Sequence, residues 1–196
     1  NNNGADVDGS GTVAIMSIAP AFAQGPKPKR SILFVWHAGE ESGLLGSRYM
    51  ADHPVVGEID KVVAQLNMDM VGRNENDDPK NANMVHVVGS DRISTELHNI
   101  NEEANSSLEK PLRLEYAMND PADPQSIYTR SDHYSYAAKG VPIIFYFTGL
   151  HPDYHGPTDT VDKILFDKIQ RIPQLAYETG RRVASSDKAP AKDNQG

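Results

Sequence analysis

Residues 141–155 read VPIIFYFTGLHPDYH, an uninterrupted apolar and aromatic run that passes into a loop holding an acid, a phenol and two imidazoles. Continuous rather than alternating apolarity marks a strand covered on both faces. The residues just before it, SDHYSYAAKG (131–140), read as a helix that stops at Gly140. Helix, buried strand and ligand-rich loop in succession predict one unit of an α/β fold: a mostly parallel central sheet flanked by helices on both faces.

The same reading extends outward. SILFVWHA (31–38) and the strand ending at Asp69 within KVVAQLNMDMVG (61–72) are two more apolar runs of buried-strand type, and they are expected beside 141–147 in one sheet. MVHVVGS (84–90) reads as a further strand and LRLEYAM (112–118) as an extended piece. Helices are expected in residues 9–24 despite Pro20, in 43–53, in 91–108 and in 162–184, the last containing Pro173. One domain over residues 1–185 accounts for these elements, and the polar, Pro-containing tail 186–196 is expected to be disordered.

Composition narrows the chemistry. Among 196 residues, 27 acids outweigh 19 Lys and Arg for a net charge of −8, and the bases cluster only in PKPKR (26–30). That balance argues against a nucleic-acid partner or an anionic membrane surface, and no apolar run approaches the roughly 20 residues of a membrane span. There is no cysteine, so a disulfide framework and a thiolate metal site are both excluded, and any metal must be held by Asp, Glu or His.

Where such residues fall is informative. Glu40 and Glu41 sit side by side in WHAGEESGLLGS (36–47), just past an apolar run, Asp69 ends another, and Tyr154 and His155 follow a third. In an open α/β sheet, ligands bind in the crevice outside the carboxyl ends of the strands. Taken alone, an acid pair ahead of a helix more often serves the helix N-terminus. Together with an acid and an imidazole at the ends of other strands, the pair reads better as part of a zinc site, one carboxylate on the metal and its neighbour turned to a water as general base.

Five motifs in order, NGADVDGSGT, HAGEESGLLGS, NMDMVG, RSDHY and DYHGPTDT, resemble those of the bacterial di-zinc aminopeptidases related to leucyl aminopeptidase and to glutaminyl cyclases, over roughly residues 1–185. The resemblance implies a zinc-exopeptidase fold and a metallo-aminopeptidase acting on peptides with zinc-activated water, in a secreted or periplasmic setting. Residue by residue, it implies Glu40 as general base, Glu41 and His155 as ligands of one metal, Asp69 as a ligand of the second, and Tyr154 as the phenol that steadies the tetrahedral intermediate. Asp132 and His133 are assigned no ligand role.

Two departures bear on the metal count. The resemblance implies a further His ligand upstream of the GAD motif, and a chain opening on NNNGADVDGSG is expected to be a fragment that lacks it. The bridging Asp falls on Val7, flanked by Asp6 and Asp8, and an isopropyl group cannot offset the repulsion of two divalent ions. The expectation is therefore two Zn²⁺ in an intact relative but one or none here, unless Asp6 or Asp8 takes the bridging place. A glutaminyl-cyclase-like transferase and a catalytically silent binding relative are the competing readings.

Overall fold

The computed structural model describes residues 2–194. Five helices of α type and four strands are described: α1 (Gly11–Gln24), α2 (Leu45–Asp52), β1 (Gln65–Met68), β2 (Met84–Val88), α3 (Thr95–Ser106), β3 (Arg113–Glu115), α4 (His133–Ala137), β4 (Ile143–Phe147) and α5 (Phe166–Ser185). The strands form one sheet in the order β1-β4-β2-β3. β1 runs parallel to β4, pairing Asn67 with Phe145 and Met68 with Tyr146, and β2 runs parallel to β3; only β2 and β4 are antiparallel.

The continuous apolar runs do what their pattern requires. Every residue of β2 and β4 is buried, because α1, α3 and α5 cover one face of the sheet and α2 and α4 the other. Ser94 starts α3 by accepting the backbone N–H of Leu97 at 3.1 Å, the usual service of a serine at a helix N-terminus. Pro20 and Pro173 lie inside α1 and α5 without ending them.

One expectation needs correction. Residues 31–38 form no strand. Arg30 is tied to the carbonyls of Val183 and Ser186 and Ala38 accepts from Gly46 N at 2.8 Å, so the segment is anchored at both ends. It faces β1 across an apolar cavity of about 640 Å³ lined by Phe34, Val63 and Leu66 among others. Without a ladder partner an apolar run has no reason to adopt strand pairing, and Leu33 and Trp36 remain 54% and 50% exposed.

Up to Asn194 the tail lies against the start of α3: Asp193 accepts the Thr95 N–H at 2.8 Å, Asn194 donates to Asp91 O at 2.7 Å, and Ala191 N donates to Glu96. Asp193 there meets unpaired N–H groups of a first helical turn, which attract a carboxylate. Residues 195 and 196 lie outside the described residues.

Candidate metal centre

The parallel pair β1 and β4 brings its carboxyl ends to one edge, and the expected site residues gather there. Asp69 follows β1 directly, while β4 leads through Thr148 and Gly149 into the loop that carries Tyr154 and His155. Glu40 and Glu41 open a single 3₁₀ turn between two glycines of positive φ, Gly39 and Gly43. That tight turn projects the acid pair from the end of the 31–38 segment, so its position does not depend on a strand.

Glu41 and His155 meet: Oε1 of the carboxylate is 2.8 Å from Nε2 of the imidazole, with both side chains close to half exposed. They line a small cleft of about 150 Å³ together with Val7, Asp8 and Asp159. The Tyr154 and His155 rings stack with centroids 3.8 Å apart, and Arg130 donates to the Tyr154 hydroxyl at 3.2 Å. Burial raises the pKa of that hydroxyl, which keeps it a neutral O–H donor at physiological pH.

Glu40 and Asp69 show how strongly negative this edge is. The Glu40 carboxyl is pushed up to about 8, first by burial and then by Asp69, Glu41, Asp132 and Asp8. Asp69 is pushed up to about 7 by burial, against the hydrogen bond it accepts from Ser131 Oγ at 2.7 Å, with Asp132, Asp6 and Glu41 adding to the rise. Several carboxyls that resist ionising beside one another are a donor set suited to a divalent cation, which would favour the charged form of each. Among the described residues, however, no three His, Asp or Glu side chains are drawn together as a ready cage. Glu41 and His155, a carboxylate and an imidazole, are donor types suited to zinc.

The two acids flanking Val7 are not equivalent. Asp6 is fully buried; its Oδ1 accepts the Gly72 N–H at 2.7 Å and its Oδ2 lies 3.3 Å from His151 Nε2. Asp8 is exposed and lines the cleft. Val7 packs against the cluster of Met70, Phe147, Leu150 and Tyr154. His133 is buried away from the cleft, stacked on Phe145 at 4.4 Å with Nε2 2.7 Å from Tyr128 O, and burial pushes its pKa down to about 3. It is a neutral core residue.

Sequence reasoning passed over Ser131 and Arg130, which contact Asp69 and Tyr154. Both precede Asp132 in the RSDH stretch, and only their place before a short helix could have marked them.

The family model described as Peptidase family M28 matches residues 1–180. Leucine aminopeptidase 2 of Arthroderma otae is 29% identical over 217 residues, taking in 98% of this chain and 41% of the relative. The LapA aminopeptidase of Legionella pneumophila superposes with a TM-score of 0.77 at 26% identity, over 95% of this chain and 48% of that one. A zinc aminopeptidase from Bacillus subtilis gives 0.76 at 24% identity, over 98% and 45%. The chain thus spans under half the length of the relatives it matches.

Proposed function

This chain belongs to peptidase family M28, and from that membership we propose that it forms the larger part of the catalytic centre of a zinc-dependent aminopeptidase. The observation that carries the reading is the meeting of Glu41 and His155 at 2.8 Å, two residue types suited to zinc, arriving from opposite parts of the chain at the strand ends. In this reading Glu41 and His155 hold the ion, and Asp8, already lining their cleft, is the flanking acid able to join them. Asp6 is withheld by its buried contacts.

When bound, zinc supplies Lewis acidity, polarising a peptide carbonyl and acidifying a water. Glu40 serves as general base: its half-buried carboxyl, pushed up to about 8 by burial and neighbouring acids, would be ionised by a cation beside it and could then accept a proton from water and return it to a leaving amine. Tyr154 donates its O–H to the oxyanion that forms on the carbonyl, oriented by Arg130. Asp69, held by Ser131, stands beside the pair as the carboxylate of a second cation position. Val7, apolar at the bridging position, favours one zinc over two.

Val7 also supports a second reading, a silent relative that binds peptides without cleaving them. Zinc calorimetry and hydrolysis of aminoacyl anilides separate the two. Under the enzymatic reading, Glu40→Gln keeps zinc and loses at least ~100-fold in turnover, whereas Glu41→Ala loses zinc as well. Val7→Asp is expected to raise both zinc stoichiometry and hydrolysis. Equal loss of zinc in the two glutamate variants would show that the pair is misassigned, and absence of hydrolysis with zinc bound and with Val7→Asp in place would favour the silent relative.

A further inference from the structure

Behind the cleft lies a network of buried ions that the proposed chemistry does not use. Asp6 and Asp159 are completely buried and Arg73 is 3% exposed. Asp159 Oδ2 accepts the backbone N–H groups of Asp6 at 3.0 Å and Val7 at 3.2 Å. The Arg73 guanidinium grips Asp77 through Nε at 3.1 Å and Nη2 at 2.6 Å, and extends Nη1 to Asp153 at 2.7 Å and to Asp159 at 3.7 Å. Lys163 reaches Asp153 from the other side at 2.7 Å.

These contacts fasten the 151–159 loop at two points, Asp153 to Arg73 and Lys163 and Asp159 to the backbone of the GAD turn, and His151 Nε2 lies 3.3 Å from Asp6 Oδ2. Between Asp153 and Asp159 stands His155. Its backbone is left-handed, with φ +56°, a region that residues with a Cβ enter seldom, histidine more readily than most. Its side chain is exposed and meets the Tyr154 ring and Glu41, so the anchors on either side of it in the loop bear on where it stands. Gly72 shows how closely the parts are fitted: a Cβ there would lie 2.8 Å from Asp6 Oδ1.

Burying ions is a poor way to stabilise a fold, since apolar replacements of like volume often do as well. What such a network supplies is location. We propose that the buried ions Arg73, Asp6 and Asp159 are positioning residues, a clamp that holds the 151–159 loop so that His155 faces Glu41. The proposal deepens the zinc-site reading and rests on it for its purpose, but the clamp's effect on His155 is measurable without metal.

The test uses the whole chain labelled with ¹⁵N-histidine. In the metal-free protein the His155 ring is expected to give one sharp set of signals with Nε2–H donating to Glu41. Arg73→Lys, which keeps the charge but loses the planar fork, and Asp153→Asn, which cuts the same link from the less buried side, are both expected to average those signals. Each should also weaken zinc binding at least tenfold by calorimetry at a temperature where the variant is folded. A merely stabilising role would lower the melting temperature and leave the His155 signals and zinc affinity of the folded protein unchanged, and that result would overturn the proposal. Arg73→Met is the harsher variant, and if it fails to fold the other two decide. If the unsubstituted chain takes up no zinc, the functional reading fails, while the His155 signals still settle the clamp.

Discussion

His133 shows at the scale of one residue how burial sets behaviour. Its pKa is pushed from 6.5 down to about 3, so between those values the unfolded chain binds a proton that the folded chain does not. Stability from this residue is therefore complete above pH 6.5 and is lost as pH falls toward 3, on the order of 5 kcal/mol in all. Urea unfolding at pH 7 and pH 5 checks it: His133→Phe, which keeps an aromatic ring against Phe145, is expected to start about 1 kcal/mol less stable because Tyr128 O loses its donor, and then to lose less than the parent on acidification. An unchanged loss would show that His133 is not the titrating group. That Glu41 and His155 share a sheet edge with Asp69 was legible, because each follows a different apolar run, whereas any one of them alone has an ordinary structural use. Arg73 was not legible. An arginine in a polar loop follows no period, and its burial by Asp77, Asp153 and Asp159 depends on three segments meeting.

At the scale of elements, β1 and β4 follow from their apolar runs, and their parallel pairing brings Asp69 to the same edge as the loop bearing His155. SILFVWHA has the same kind of composition and forms no strand, since pairing is a property of two segments and a run read singly does not reveal its partner. In the tail, whose polar composition predicts disorder, a carboxylate and an amide lie against the start of α3. The seating of α1 on β1 is tight enough to test. A Cβ on Gly11 would lie 2.3 Å from Met68 O, so Gly11→Ala must push the helix from the strand end next to Asp69. It is expected to cost about 2–3 kcal/mol, read as a lowered urea midpoint; a midpoint equal to the parent's would mean that α1 sits further from β1 than described.

For the molecule as a whole, the net charge of −8 is unevenly spent: a dense group of carboxyls sits at one sheet edge around Glu40, Glu41 and Asp69, while the larger cavity beside β1 is lined mainly by apolar side chains. The acidic edge, not the larger cavity, has the chemistry for a cation. If Glu41 and His155 hold zinc there, as proposed, anomalous diffraction at the zinc edge from crystals grown with zinc locates the ion. The expected result is one peak per chain within bonding distance of the Glu41 carboxylate and the His155 imidazole, about 2 Å from each. A peak bonded to neither of them, or two fully occupied peaks despite Val7, would rule out a single zinc held by this pair.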